Sequence, residues 1–204
     1  MAPHYEIELK AWVDDPNSVK ERLDGFCLYT GEYQKDDTYW NYGNSALHPG
    51  FSLRIRQEQW KDAQSNAQGD AQGISTLVTY KTKEIQGDME VNLEQEFAVS
   101  AVEPFINLLL ALSFEKGISK QKTGWSWSYG ETGSAGEEQR ITVELSLVAS
   151  LGWLVELELI AQDRDEATVS HGRERLHRLL GFLGIGEDRI ETRYYSELLT
   201  LGEQ

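Results

Sequence analysis

The sequence predicts a mainly β (α+β) fold: an antiparallel sheet closed into a barrel tunnel, with flanking helices. Three observations predict it. Segment after segment alternates apolar and polar residues with period two, the pattern of a half-buried strand. In those segments charged residues recur as i, i+2 pairs on one face, opposite a mostly apolar face: Glu6/Glu8 with Lys10, Arg54/Arg56, Lys81/Lys83, Glu94/Glu96, Lys120/Lys122 and Glu156/Glu158. The pairs sort by sign, which a merely solvated face does not need. Turning the charged faces inward makes a polar tunnel and leaves the apolar faces outside, where amphipathic helices can cover them. A closed sheet of about eight strands is wide enough to hold a small ligand.

The elements follow in order. His4 to Trp12 alternates Tyr5, Ile7 and Leu9 against Glu6, Glu8 and Lys10. Asp15-Pro16-Asn17 is a turn, and Ser18 to Phe26 reads as a helix capped by Asn17 or Ser18. Asp36 to Tyr42 and Phe51 to Gln57 are strands. Asp62 to Gly73, rich in Ala, Gln, Gly and Asp, reads as a long hairpin loop. Ser75 to Lys83 and Met89 to Val99 are strands. Val102 to Leu112 has helical spacing of Phe105, Leu108, Leu109 and Leu112, with Pro104 in its first turn. Ile118 to Tyr129 is strand-like, with Trp125 and Trp127 on the face opposite Lys120 and Lys122 and so in outer packing. Gly130 to Glu138 is a second loop. Arg140 to Leu147 and Trp153 to Ile160 are strands joined by a turn at Ala149 to Gly152. Asp165 to Phe182 is a helix, and Arg189 to Leu199 a short closing element. There is no repeat and no linker, so residues 1–204 read as a single domain.

The formal charge of −15 argues against coating nucleic acid or docking on an anionic membrane. The lone Cys27 excludes an internal disulfide framework and a multi-cysteine zinc site. No apolar run reaches the roughly 20 residues of a membrane span, and Met1 to Glu6 lacks the character of a signal peptide, so a cytoplasmic setting is expected. His171 and His177, six apart on one helix, do not share a face. His4 shares the inward parity of Glu6 and could line the tunnel mouth. No Walker-type or Rossmann-type glycine pattern is present.

The inward charges set the chemistry. Arginine forks grip phosphate oxygens bidentately and lysines act as point charges. Several together could neutralise a triphosphate. Carboxylates without cysteine or clustered histidine point to hard-oxygen ligation, hence Mg²⁺ or Mn²⁺.

These residues carry a resemblance. Glu6-Ile7-Glu8-Leu9-Lys10 resembles the ExExK signature of the CYTH family, the class IV adenylyl cyclases and thiamine triphosphatases, also called triphosphate tunnel metalloenzymes. Asp37-Thr38-Tyr39-Trp40, Leu53-Arg54-Ile55-Arg56, Thr79-Tyr80-Lys81, Lys120-Gln121-Lys122 and Leu151 to Glu158 (LGxFxExE-like) are similar to family strands, in family order. Tyr195-Ser196-Glu197-Leu198-Leu199 is similar to the ending of the bacterial cyclase-like branch. The resemblance implies a closed eight-stranded antiparallel tunnel. It implies metal ligation by Glu6, Glu8, Glu156 and Glu158, with Glu94 and Glu96 as further acidic candidates. It implies triphosphate binding by Lys10, Arg54, Arg56, Lys81, Lys120 and Lys122, with Lys83, Arg140 and Arg193 as further candidates. Lys10, Lys81 and Glu144 are the catalytic candidates. Ser146 departs from the pattern, standing where the family usually has aspartate. Glu144, two residues earlier on the same face, could substitute.

The expected function is a Mg²⁺- or Mn²⁺-dependent triphosphatase acting on inorganic triphosphate, thiamine triphosphate or a nucleoside triphosphate, as monomer or homodimer. The alternatives are a class IV-type adenylyl cyclase making cyclic AMP and pyrophosphate, and a triphosphate-binding module whose catalysis is weakened at Ser146.

Overall fold

The structure, a computed structural model, describes residues 4–42, 51–62, 73–132 and 138–201. Its elements are β1 (His4–Trp12), α1 (Pro16–Phe26), β2 (Leu28–Tyr42), β3 (Phe51–Asp62), β4 (Ser75–Thr82), β5 (Ile85–Gln86), β6 (Met89–Ala98), α2 (Val102–Ala111), β7 (Phe114–Thr132), β8 (Glu138–Val148), β9 (Gly152–Ala161), α3 (Glu166–Phe182) and α4 (Tyr195–Leu201). A single 3₁₀ turn, Glu187–Arg189, precedes α4.

Strand order around the sheet is β1-β9-β8-β7-β2-β3-β4-β6, and pairing of β6 with β1 closes it into an eight-stranded barrel. Every pairing is antiparallel, and β5 adds two residues to the edge of β6. Closure removes the unpaired edges that would template aggregation.

The apolar core lies outside the ring. Ile7, Leu9 and Ala11 of β1 and Val155, Leu157 and Leu159 of β9 are buried with Leu176, Leu179 and Leu180 of α3 and Val19 and Leu23 of α1. Burial of each such side chain is worth about 1.5–3 kcal/mol. Gly172 brings α3 close to the barrel: a Cβ there would lie 2.8 Å from Cδ1 of Ile7 and 3.3 Å from Cδ2 of Leu159. On the other side, Leu109 of α2 packs on Trp40, Leu53, Ile55 and Val78. At one end of the barrel, Tyr195 and Leu198 of α4 pack on Val148 and Leu154. Trp127 is fully buried in the outer core and donates to Asp24 at 2.9 Å, and Trp125 stacks on Trp153 at 5.6 Å. Both tryptophans therefore take the outer face, as their parity requires.

Several boundaries differ from the sequence reading. Helix α1 starts at Pro16, and its cap is Asp15, whose carboxylate accepts from the backbone N–H groups of Asn17 and Ser18 at 3.1 and 3.2 Å. Proline at the first helical position lacks the N–H that the cap would otherwise satisfy. Strand β2 begins at Leu28, not Asp36: the parity of Asp37 runs on through Lys35 to Tyr33, and a register shift between Tyr29 and Gly31 interrupts the first residues alone. Strand β7 starts at Phe114 and runs to Thr132, and β8 begins at Glu138, so the ends of the Gly130 to Glu138 loop are strand. The remainder of that loop, and residues 63–72 of the long hairpin, lie outside the described residues. His171 is exposed, whereas His177 lies 2.8 Å from Asp88 and 3.2 Å from Glu187. No helix among the described residues is long and apolar enough to cross a membrane.

Because Gly172 faces side chains already in contact, Gly172→Leu should overpack the α3–β1 interface and cost about 1–3 kcal/mol. Urea unfolding would read this as a lower midpoint at unchanged slope. An unaltered midpoint would show that α3 moves off the barrel without cost.

Candidate functional site

The inner faces of the strands enclose a cavity of about 600 Å³, within the roughly 300–1,000 Å³ of small-molecule sites. Barrel order sorts its charges. Lys120 and Lys122 on β7, Lys35 on β2, Arg54 and Arg56 on β3 and Lys81 on β4 occupy four neighbouring strands, and Lys83 follows the end of β4. Glu90, Glu94 and Glu96 on β6, Glu6 and Glu8 on β1, Glu156 and Glu158 on β9 and Glu144 on β8 occupy the other four. One half of the wall is basic and the facing half acidic.

Where the halves meet, side chains pair. Lys81 lies 3.3 Å from Glu6 and 2.8 Å from Glu94. Lys122 bridges Glu144, at 2.8 Å, and Glu156, and Lys35 also pairs with Glu144. Arg54 donates to Thr79 at 2.9 Å, Thr79 donates to Glu96 at 2.8 Å, and Arg54 itself lies 3.7 Å from Glu96. Within the basic half, Asp37 is the internal counter-charge. Arg56 grips it through Nε at 2.7 Å and a terminal nitrogen at 3.0 Å, and Lys120 stands 3.2 Å away. Such fork-to-carboxylate pairs are geometrically specific.

The acids divide by environment. Burial opposes ionisation of all of them, but Lys81 and Arg54 bring Glu94 down to about 2, and Lys122 and Lys120 bring Glu156 down to about 2. Lys122 and Lys35 hold Glu144, and Arg56 and Lys120 hold Asp37, well below the usual carboxylate range. The opposite holds for a second group. Burial raises Glu8 to about 7, with Glu90 and Glu156 adding repulsion. Burial, with Glu6, Glu8 and Glu144, pushes Glu158 well up. Burial also raises Glu6, where Glu94 adds repulsion and Lys81 only partly compensates. The register explains the crowding: Glu8 pairs directly with Glu158 on one side and Glu90 on the other. Among the described residues no three acidic or imidazole groups converge as the ligands of one ion. The donor set of Glu6, Glu8 and Glu158 nevertheless fits a hard divalent cation, being all oxygen and short of positive charge. Burial lowers Lys35 to about 8, with Arg56 and Lys122 adding to the fall against Glu144.

The structure brings most of the candidate residues to one cavity: Glu6, Glu8, Arg54, Arg56, Lys81, Lys83, Glu94, Glu96, Lys120, Lys122, Glu144, Glu156 and Glu158 all line it. Lys10 lies deeper, buried, 3.2 Å from Glu90 and 4.8 Å from the centre of the Tyr195 ring. Arg140 is exposed and does not line the cavity. Arg193 is turned away and pairs with Glu191 at 2.6 Å. Ser146 is fully buried and outside the cavity lining, with its Oγ 2.5 Å from the Tyr33 hydroxyl. The phenol reaches it across Gly124, whose register partners are Tyr33 and Ser146 and where a Cβ would meet the Leu145 carbonyl at 2.1 Å. His4 lines the mouth, 3.6 Å from Glu6.

Other lining residues were not singled out from sequence. Lys35, Tyr39, Glu58 and Trp60 share the parity of their charged neighbours on β2 and β3, and Glu90 shares that of Glu94 on β6, so extending the alternation would have found them. Tyr195 has no such signal. It comes from α4, which closes one end of the barrel, and its ring sits 3.8 Å from Nζ of Lys120.

A closed antiparallel barrel whose basic wall faces a carboxylate cluster defines a tunnel protein. A family model described as the CYTH domain matches residues 4–195, and the chain belongs to that family. Among solved structures it is similar to a protein from Pyrococcus horikoshii OT3 at 24% identity and TM-score 0.78, over 98% of this chain and 99% of that one. It is similar to a Vibrio parahaemolyticus protein put forward as an adenylate cyclase, at 17% identity and TM-score 0.68, over 96% and 98%. It is also similar to a Hippeastrum protein put forward as an adenylyl cyclase and described as having a dominant triphosphatase activity, at 13% identity and TM-score 0.58, over 98% and 95%. These likenesses show the shared fold. No curated protein matches the chain.

Two substitutions test the division among the acids. Between pH 4.5 and about 7 the folded Glu8 keeps a proton that the unfolded chain releases, so its contribution is present below pH 4.5 and lost as pH rises through 7. Glu8→Gln should therefore leave stability unchanged at pH 4 and raise it at pH 8 by up to about 3 kcal/mol. Asp37→Asn should do the reverse at pH 8, costing about 3–5 kcal/mol by stranding Arg56 and Lys120. Denaturant titrations at the two pH values check both, and a Glu8→Gln variant less stable than the parent at pH 8 would contradict the crowding.

Proposed function

We propose that the protein is a divalent-metal-dependent triphosphatase that hydrolyses inorganic triphosphate, thiamine triphosphate or a nucleoside triphosphate inside its tunnel. The observation that carries this reading is the basic half-wall facing the Glu6–Glu8–Glu158 cluster across a cavity of small-molecule size. Arg54, Arg56, Lys81, Lys120 and Lys122 are spread over three strands, so together they can grip successive phosphates of one chain. Their present carboxylate partners keep them ordered and charged until phosphate oxygens replace those partners.

Glu6, Glu8 and Glu158 would hold Mg²⁺ or Mn²⁺. Glu94, Glu96 and Glu156, already paired with cations, would support that site from outside. When bound, the ion neutralises developing charge on the phosphate oxygens and lowers the pKa of a coordinated water. The protein's own part is positioning and electrostatics, which supply most of phosphoryl-transfer catalysis. Lys81, between Glu6 and Glu94, stands where the basic wall meets the acid cluster and would stabilise charge on the phosphate undergoing attack. Glu144 positions Lys122 and Lys35, and Lys10 fixes Glu90. Lys83 lines the tunnel beside Tyr39, and Arg140 and Arg193 would act at most at its margins.

A second reading, a class IV-type adenylyl cyclase, is favoured by one observation: Tyr195 of the Tyr-Ser-Glu-Leu-Leu ending reaches into the cavity. A binding module lapsed at Ser146 has less support, since Ser146 is engaged by Tyr33 away from the lining. The remaining expectations, a single domain acting in the cytoplasm as monomer or homodimer on a small triphosphate and not on nucleic acid or membrane, belong to the same proposal.

The test is incubation with Mg²⁺ or Mn²⁺ and, separately, inorganic triphosphate, thiamine triphosphate and ATP, assaying orthophosphate and cyclic AMP. Orthophosphate without cyclic product is expected. Arg54→Ala and Lys81→Ala should each lower kcat/KM by at least about 100-fold, the effect of removing a charge-stabilising group from a reacting centre. Inorganic triphosphate should also raise thermal stability, by about 2.7 kcal/mol at a hundredfold excess over Kd. Cyclic AMP with pyrophosphate would favour the cyclase. The absence of both turnover and stabilisation would overturn the tunnel reading.

A further inference from the structure

Outside the tunnel, one small element depends on α3 for its anchorage. The turn Gln86-Gly87-Asp88 between β5 and β6 lies against Arg173 and His177, two side chains one helical turn apart on α3. Arg173 donates to the Gln86 carbonyl at 2.5 Å and lies 3.4 Å from Asp88. Gly87, at φ +69°, leaves room for that guanidinium, which a Cβ would strike. The ring of His177 stands between two carboxylates: Nδ1 is 3.2 Å from Glu187 of the 3₁₀ turn, and Nε2 is 2.8 Å from Asp88. Among the described residues, three buried polar atoms that make no hydrogen bond meet here: Nε of Arg173, Oδ1 of Asp88 and Nε2 of His177. The other charged groups of these elements are engaged elsewhere or exposed. Glu84 lies 3.5 Å from Arg164, Arg189 pairs with Asp14, and Glu174, Arg178 and Asp188 are exposed.

We propose that His177 is the proton-operated catch of a clasp that fastens the β5–β6 hairpin to α3, closed while the imidazole is protonated and loosened when it loses that proton. Donor count decides this. Carboxylates only accept, and a neutral imidazole carries one N–H, so it can serve Glu187 or Asp88 but not both. The other nitrogen then turns a lone pair toward a carboxylate. Imidazolium carries an N–H on each nitrogen and satisfies both, and histidine ordinarily changes charge between pH 5 and 8. With the catch open, Arg173 holds the turn without His177. The hairpin has few bonds of its own. Strand β5 pairs over only two residues, Ile85 with Glu90 and Gln86 with Met89, and the Val91 N–H donates to the Glu84 carbonyl at 2.9 Å. The clasp reaches the tunnel through a short piece of chain. Asp88 is two residues from Glu90, which lines the cavity, lies 3.2 Å from Lys10 and is the register partner of Glu8. Opening the catch therefore loosens the end of β6 that presents Glu90 to the acidic wall.

Hydrogen exchange tests this. Protection factors, which remove the intrinsic pH dependence of exchange, are measured for the amides of residues 85–91 at pH 5.5 and pH 8, with those of β3 as internal reference. In the parent, hairpin protection should fall by about 10-fold or more between the two, the effect of one charge-assisted hydrogen bond, while β3 changes by less than about threefold. His177→Gln keeps an N–H near the place of Nε2 and cannot titrate, so its hairpin protection should not depend on pH. Asp88→Asn removes the carboxylate that the catch engages. It should flatten the profile likewise, and it supplies the comparison if His177→Gln does not fold. Parent hairpin protection that is the same at both pH values, or that changes only in step with β3, overturns the proposal. So does a fall in either folded variant as large as the parent's.

Discussion

The constraint on which this structure depends is the attraction between two halves of one barrel wall. Four adjacent strands present lysine and arginine, and the four that complete the ring present glutamate. Neither half would be stable alone in a buried space, since unpaired buried charges cost several kcal/mol each. Closing the sheet brings the halves face to face, and Lys81, Lys122 and Arg54 span the seams between them. The same closure leaves every strand with its apolar face outward. The helices are therefore the other half of the core: α1 and α3 cover one flank of the barrel and α2 the other.

Compensation is not uniform, and the exceptions cluster in the acidic half. Asp37 lies in the basic half and is fully engaged there. It orders Arg56 and Lys120 and has nothing left to offer a ligand. Glu6, Glu8 and Glu158 lie in the middle of the acidic half, where register places them beside one another. Their raised proton affinities measure what the fold leaves unsatisfied. A bound cation would relieve that deficit, and a bound polyanion would take over the cations opposite. The pairings across the tunnel are thus each replaceable by a stronger partner.

Much of this was legible in the sequence because a strand's period of two is short and local. The i, i+2 pairs Glu6/Glu8, Arg54/Arg56 and Glu156/Glu158 name the inward face of their strands without any tertiary knowledge. What local pattern cannot contain is ring order. Sign sorting is visible strand by strand, but that the basic strands are contiguous follows from β7 pairing with β2 and β6 with β1, across long stretches of chain. Strand β2 was half missed: the parity of Asp37 runs on unbroken through Lys35 to Tyr33 and had only to be extended, and the register shift between Tyr29 and Gly31 interrupts the first residues alone. Tyr195 was invisible as a lining residue because a helix side chain entering through the end of a barrel obeys no strand parity.

Ser146 shows how the same geometry corrects an inference drawn from residue type alone. Read as a letter, serine in place of aspartate removes a ligand. In the fold, Tyr33 and Ser146 flank Gly124 on neighbouring strands, and the phenol meets the serine hydroxyl at 2.5 Å; a Cβ at Gly124 would collide with the backbone of Leu145 and Ser146. An aspartate in that place would be a buried charge against a phenol already surrounded by Glu144 and Glu156, both of which oppose loss of its proton. Serine, tyrosine and glycine therefore form one self-consistent unit in the barrel wall, with Trp60 packed on its tyrosine. The charge that a carboxylate at 146 would have carried is supplied one inward step away by Glu144, where Lys35 and Lys122 balance it.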